Sequence, residues 1–343
     1  NTLTFPDIMK MKKFLNSPEN LTDELLEGLA GAYPDKIRLE EGRIVARAVP
    51  KPREKVAVIT MGGSGHEPAL SGFVGEGMLD ASVAGDIFAA PNAVAVLAAL
   101  RKFKDYAGIL LVVLNHAGDV MSANMALKMA AREGINVKSV LVADDISAGL
   151  DAPKGDRRGL AGCLPLIKVA GAAAEEGKTL DEVLAVAERF NSRIATLAVA
   201  MSGCTHPQTG QPITELGDDE MEIGMGQHGE GGGGRGKILS ADETAKIMFS
   251  NLAKAVDLKA GETVYIIING TGATTPMELA IVFRAAKNCA EAAGAKVAGG
   301  IVDELLTVQE MAGFQMILCV ADAEEMRLIR ARSNAPYWTS LGE

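Results

Sequence analysis

The sequence predicts an α/β protein of two domains, each built on a mostly parallel or mixed sheet flanked by helices. Three observations predict it. The run Gly108-Ile109-Leu110-Leu111-Val112-Val113-Leu114 is apolar without interruption after its glycine, as a strand covered on both faces requires. Strand, loop, helix and strand recur around it at the spacing of βαβ units. Near residue 190 the pattern restarts, dividing the 343 residues into 1–190 and 191–343, each long enough for its own core.

Taken in order, residues 23–33 read as a helix that Thr22 can cap, with Leu25, Leu26, Leu29 and Ala30 on one face. Residues 56–60 form a short buried strand, and 92–103, rich in Ala and Leu, a helix. The strand at 108–114 is followed by a helix over 122–132 and a strand over 137–142. Charged residues with Gly and Pro make 144–158 a loop. Residues 159–177 read as an Ala-rich helix with a kink at Pro165, and 180–190 as another helix. In the second half, 194–201 is a strand and 202–236 a long glycine-rich irregular stretch, the length at which loops carry function. Helices follow at 241–255 and 276–293, and strands at 263–269, 296–302 and 314–320. No short tandem repeat is visible. Open α/β sheets gather their ligands at the carboxyl ends of strands, which directs attention to the loops there.

Composition excludes several classes of function. Thirty-four Lys and Arg against 44 Asp and Glu leave a net charge of −10, so no basic excess is available for nucleic-acid phosphates. Aromatics are 4% with one tryptophan, too few for base-stacking platforms. No apolar run reaches the length of a membrane span. Asn1 to Ile8 lacks the basic start and apolar centre of a signal peptide, and Met11-Lys12-Lys13 resembles a natural start, so a cytoplasmic protein is expected. Cys163, Cys204, Cys289 and Cys319 are widely spaced without a Cys-x-x-Cys pair, the pattern of buried reduced thiols.

The chemistry concentrates in loops. Met61-Gly62-Gly63-Ser64-Gly65-His66-Glu67-Pro68 follows the first strand. It lacks the lysine of a phosphate loop, has Pro68 where a dinucleotide fingerprint places its third glycine, and offers no Gly-x-Ser-x-Gly elbow. The other histidines lie in Leu114-Asn115-His116-Ala117-Gly118-Asp119, Cys204-Thr205-His206-Pro207 and Gly226-Gln227-His228-Gly229-Glu230. No His-x-His or His-x-x-x-His spacing occurs, so no metal site is expected. Asp119 and His66 suit an acid/base pair acting on an alcohol, and Asp119 also suits a helix N-cap.

Beyond these, Gly72-Phe73-Val74-Gly75-Glu76-Gly77-Met78-Leu79, Gly85-Asp86-Ile87-Phe88, Arg157-Arg158-Gly159, Asp219-Glu220-Met221-Glu222-Ile223-Gly224 and Asn269-Gly270-Thr271-Gly272-Ala273-Thr274 follow in order. Together with the histidine loops they resemble the dihydroxyacetone-binding K subunit, or K domain, of dihydroxyacetone kinases, from about Met11 to about Trp338. The resemblance implies that His228 attacks the ketone of the substrate and holds it as a hemiaminal. It implies that His66 and Asp119 orient and deprotonate the hydroxyl to be phosphorylated, with Gly62, Gly63, Ser64 and Gly65 lining the substrate. It also implies a homodimer, a nucleotide-binding L-type subunit carrying Mg-ATP or Mg-ADP, and a phosphotransferase-system protein as possible phosphoryl donor. This chain itself is expected to bind no cofactor.

Two departures bear on the substrate. The family commonly reads Lys-Asn-Tyr-Thr-Gly-Asp where this chain has Leu114-Asn115-His116-Ala117-Gly118-Asp119, and Met61 stands where a third glycine is usual. Leu114 therefore replaces a substrate-binding lysine, which opens the pocket to a larger ketose such as a tetrulose. Two further readings stand beside the kinase: a regulatory paralogue that captures the ketone and activates a transcription factor, and a two-domain carbohydrate-binding protein without transfer.

Overall fold

The computed structural model describes residues 11–232 and 234–343. The reading of Asn1 to Ile8 therefore lies outside the described residues. Two six-stranded mixed sheets carry the fold. The first runs β1 (Ile37–Glu40), β2 (Ile44–Arg47), β4 (Ala81–Ile87), β3 (Ala57–Ser64), β5 (Ile109–Leu114), β6 (Val137–Val142). Strands β4, β3, β5 and β6 are parallel, and the hairpin β1–β2 adds an antiparallel edge.

The second sheet runs β11 (Gly234–Lys237), β10 (Glu220–Ile223), β7 (Ile194–Ala200), β14 (Gly313–Val320), β12 (Thr263–Gly270), β13 (Lys296–Asp303). Only β12 and β13 pair in parallel there. Two small hairpins, β8–β9 (Cys204–Thr205 with Pro212–Ile213) and β15–β16 (Ser333–Ala335 with Trp338–Ser340), complete the strands. The boundary read at 190/191 lies at the last residue of α5 (Leu180–Asn191), three residues before β7 begins at Ile194. The C-terminal hairpin returns to the first half, where Asn334 N–H donates to Glu76 O and Tyr337 N–H to Gly72 O.

Side-chain alternation sorts the helices into layers. On the first sheet, Ile59, Leu111 and Val113 face one cluster with α2 (Ala93–Lys102) and α3 (Ala117–Arg132). Val58, Leu110 and Val112 face the other way, onto α4 (Cys163–Glu175) and α5. The same central cluster takes Ile267, Ile317 and Cys319 from the second sheet, so α4 and α5 lie between the sheets. Ile266, Ile268, Met316 and Leu318 cover the far side with α6 (Ala241–Ala255) and α7 (Pro276–Ala292). Such a layered stack explains why central strands are apolar on both faces. Short polar–apolar motifs start several helices: Thr179 with Glu182, Ser240 with Glu243, Thr275 with Glu278, and Asp322 with Glu325 at α8 (Ala323–Arg330) all form capping boxes.

Several expectations are corrected. Helix α1 is Leu21–Ala32 with Asn20 at its N-cap, and Thr22 is a buried residue of the first turn. Pro165 does not kink α4, because the helix starts at Cys163 and its first-turn N–H groups lack intrahelical partners anyway. Residues 160–162 precede it as a turn held by Asp144, whose two carboxylate oxygens accept from Leu160 N–H and Gly162 N–H at 2.7 and 2.8 Å. Strand β3 continues through Gly62, Gly63 and Ser64, paired with β4 across a bulge. The stretch 202–236 contains β8 to β11, because glycines 234 and 236 pair by backbone alone. Among the described residues no helix is long and apolar enough to cross a membrane.

Candidate active site

The site forms where the carboxyl ends of β3 and β5 meet loops from the second sheet. A cavity of about 30 Å³ is lined by Met61, Gly62, Gly63, Leu114 and Asp119 from the first sheet's loops and by Gln227, His228 and Leu306 from the second's, with His66, Phe88 and His116 among them. At that size it holds little more than one water.

His66 closes the turn after β3. Its Nδ1 lies 2.8 Å from Thr307 O, so Nδ1 carries the proton and donates, leaving the Nε2 lone pair free. That Nε2 is buried without a hydrogen-bond partner. Burial, and then repulsion from His228, pushes the imidazole down to about 3, so it is neutral at physiological pH. The loop after β13 straps the turn: Thr307 N–H donates to His66 O, Thr307 Oγ1 to Glu67 O and Gln309 Nε2 to Gly65 O. Asn269 Oδ1 accepts from Leu305 and Leu306 N–H and fixes that strap.

Asp119 stands in the first turn of α3, whose N-cap is His116, so the N-cap reading for Asp119 is corrected. The helix N-terminus favours a carboxylate there. Burial outweighs it and raises the carboxyl to about 7. Asp119 Oδ1 is buried without a partner, like His66 Nε2. Gln227 Oε1 is a third such atom, and three orphaned polar atoms on residues lining one cavity require an explanation.

His228 rides on a loop held by backbone and charge. Its N–H donates to Glu230 Oε2 at 2.9 Å, and Gly226 N–H donates to Glu230 O at 2.7 Å. Gly229 has φ +76, and a Cβ there would lie 2.3 Å from Ile213 Cγ2, so the residue must be glycine. Thr214 Oγ1 donates to Gly229 O, tying the β8–β9 hairpin to the loop. Arg158 is the hub: Nε donates to Asp145 Oδ2 at 2.7 Å, Nη2 to Ser147 Oγ and Gly224 O, and Nη1 to Glu230 O, with Glu230 Oε1 3.2 Å away. Desolvation, and then His116, lowers the His228 pKa. A neutral imidazole is the nucleophilic form.

All four histidines of the chain join one aromatic cluster. His66 and His228 centroids are 5.2 Å apart and those of His116 and His228 5.1 Å. Phe88 stacks at 4.9 Å on His66 and 5.7 Å from His228, and meets His206 edge-on at 5.3 Å. Phe88 holds φ +57, a strained conformation for a bulky residue of the kind that clusters at functional sites.

Of the residues singled out in the sequence, Gly62, Gly63, His66, Leu114, Asp119 and His228 line one cavity. Ser64 and Gly65 do not. The Ser64 hydroxyl donates to Gly85 O at 2.8 Å, and Gly65 N–H is taken by both Glu67 carboxylate oxygens. Phe88, Gln227 and Arg158 were not assigned roles. Phe88 ends the Gly85-Asp86-Ile87-Phe88 run, Gln227 adjoins His228, and Arg158 lies in the Arg157-Arg158-Gly159 segment. Their functions depend on tertiary convergence.

Residues 27–337 match the Dak1 domain family. The chain is 38% identical over 330 residues to the dihydroxyacetone-binding subunit DhaK of a PTS-dependent dihydroxyacetone kinase from Listeria innocua, covering 96% of this chain and 100% of that one. It is 37% identical over 330 residues to an L-erythrulose kinase of Pectobacterium atrosepticum, covering 95% of this chain and 56% of that protein. The chain thus spans little more than half of that enzyme. Among solved structures, a dihydroxyacetone kinase operon co-activator, Dha-DhaQ, superposes with a TM-score of 0.87 at 32% identity, covering 92% of this chain and 98% of that one.

Proposed function

The chain belongs to the Dak1 domain family, and from that premise we propose that it is the substrate-holding subunit of a hydroxyketone kinase, a phosphotransferase with an alcohol acceptor. One observation carries the reading: the partnerless buried atoms, His66 Nε2 and Asp119 Oδ1, belong to residues lining the cavity that His228 also lines. A hydroxyl between them would satisfy both, donating to one and accepting from the other according to protonation.

The neutral imidazole of His228 attacks the ketone carbon. A nitrogen–carbon bond forms, the carbonyl π pair moves to oxygen, and that oxygen takes up the proton the ring releases. The whole ketone is added and no water leaves. A polyol without a carbonyl cannot be captured this way. Tethering presents the terminal hydroxyl to Asp119 and His66 and makes the later step effectively unimolecular. Asp119, once ionised, takes the hydroxyl proton as the phosphoryl group transfers. That group arrives on a nucleotide-binding L-type subunit carrying Mg-ATP, or Mg-ADP recharged by a phosphotransferase-system protein. The subunit works as a cytoplasmic homodimer, an assignment supported by the family alone.

The acceptor is dihydroxyacetone or a larger ketose of the tetrulose class. Leu114 supports the second, because with Met61, Leu70, Phe88 and Leu306 it makes an apolar wall where the family has a lysine. The similarity to an L-erythrulose kinase points the same way.

Intact-mass spectrometry after soaking with dihydroxyacetone or erythrulose tests the capture. The native chain gains the full mass of the ketone and His228→Ala gains none. Equal adduct on both proteins sinks the assignment. With an L-type subunit and nucleotide added, an adduct that never turns over would favour the ketone-sensing paralogue instead.

A further inference from the structure

We propose that His116, His228 and Glu230 form a site for one divalent transition-metal ion, and that the metal and the ketone exclude each other there. One ligand atom from each of the three residues lies within 4.8 Å of the others. Three ligands on a tetrahedral zinc ion stand roughly 3.4 Å apart, so modest side-chain rotation closes the set.

The surroundings are those that orient metal ligands. His116 Nε2 lies 2.7 Å from Gly159 O and donates to it, which leaves the Nδ1 lone pair for a metal. A ligating histidine commonly gives its other N–H to a carbonyl in this way. Gln227 Nε2 stands 3.0 Å from the same His116 Nε2. Since that nitrogen carries a proton, the amide is better turned with its oxygen towards the ring, and Gln227 Oε1 is otherwise buried without a partner. Glu230 is anchored at both oxygens, Oε2 by His228 N–H and Oε1 by Arg158 Nη1 at 3.2 Å. A carboxylate can bridge a guanidinium and a metal ion, because each oxygen has two lone pairs.

Two imidazoles and one carboxylate suit Zn²⁺, Co²⁺, Ni²⁺ or Cu²⁺, whereas Mg²⁺ and Ca²⁺ prefer all-oxygen sites. The position matters because the resembling family commonly has tyrosine where this chain has His116. A phenol is a poor ligand for these ions at neutral pH, its pKa lying near 10. Coordination occupies the His228 lone pair needed for attack on the ketone. The ion is therefore an inhibitor of capture, and loss of the ion frees the nucleophile. The set is not evident along the chain because His116 lies 112 positions before His228, and the His228-Gly229-Glu230 pair alone supplies only two ligands.

The test is calorimetric titration of the tag-free full chain with Zn²⁺, in the absence of ketone, with Co²⁺ absorption reporting tetrahedral ligation. One ion should bind per native chain, and His116→Phe should weaken it at least tenfold. Glu230→Gln gives a second ligand variant, and a melting curve for each variant checks that it is folded. In a separate arm, Zn²⁺ should suppress the ketone mass adduct on the native chain far more than on His116→Phe. Absence of saturable one-ion binding, or native affinity retained in both ligand variants, overturns the proposal. Because the titration uses no ketone, its failure leaves the capture reaction untouched, and a failed capture leaves the titration readable.

Discussion

Replacing Asp119 by asparagine removes a carboxyl from the site and should stabilise the protein at alkaline pH. Burial raises this carboxyl from 3.8 to about 7. The folded chain therefore keeps the proton over a range in which the unfolded chain has lost it. Folded protein binds more protons between those values, so stability falls as pH rises through the window and the cost is complete above it. Three units at about 1.4 kcal/mol each give about 4 kcal/mol near pH 8, of which about 1.5 kcal/mol is already present near pH 5. Asparagine keeps the shape without the charge. Asp119→Asn should therefore exceed the native stability by about 1.5 kcal/mol near pH 5 and by up to about 4 kcal/mol near pH 8. Urea unfolding followed by the single, buried Trp338 measures both. His66 titrates alike in the two proteins and cancels in the difference. A gap that does not widen with pH, or a variant less stable than native near pH 8, would refute the argument. Phosphoryl transfer by the variant should meanwhile be lost, as a site that trades stability for chemistry requires.

His66→Gln should retain the ketone adduct while kcat with the nucleotide subunit falls by roughly 10²–10⁴-fold, the usual yield of a positioned acid/base group. Steady-state kinetics beside intact mass separates the two effects. Arg158→Lys cannot reproduce the fork that reaches Asp145, Ser147, Gly224 and Glu230, so stopped-flow capture should slow at least tenfold, roughly 1.4 kcal/mol, and the melting temperature should fall as the buried Asp145 carboxylate loses its matched partner. Phe190 is fully buried in the central layer between the sheets, and Phe190→Ala should cost about 3–5 kcal/mol by urea unfolding.

The central strands were legible because burial on both faces leaves few polar positions: β3, β5, β7, β12 and β14 announce themselves as mainly apolar runs, with single buried polar residues such as Thr60, Thr196, Asn269 and Gln315. The hairpin β1–β2 was not, since Ile37-Arg38-Leu39-Glu40 is short and half polar. Strand β4 is built of small residues, Ala81-Ser82-Val83-Ala84-Gly85, and its pairing depends on neighbours distant in sequence. Within the site, His66 and Asp119 stand in short motifs after strands and His228 in the glycine-rich stretch 202–236, and the family resemblance singled out all three, which line one cavity. Ser64 looked equivalent to Gly63, yet the bulge between Gly62 and Ser64 sends its hydroxyl to Gly85 O instead. Phe88 carries no chemical signature of its own. Its place beneath three imidazoles follows from a left-handed backbone turn that no periodicity encodes.

Every imidazole in this chain belongs to the cluster around Phe88 and His228. Histidine-selective spectroscopy thus has no background. In a spectrum of protein labelled only at histidine, three of the four rings line the pocket and the fourth, His206, touches Phe88 at its edge, so every resonance reports on the pocket or its immediate surround. Proton binding, ketone addition and ion coordination alter ring nitrogens in different ways. The untagged protein therefore carries its own internal reporter, and all three events can be followed in one sample without introducing a probe.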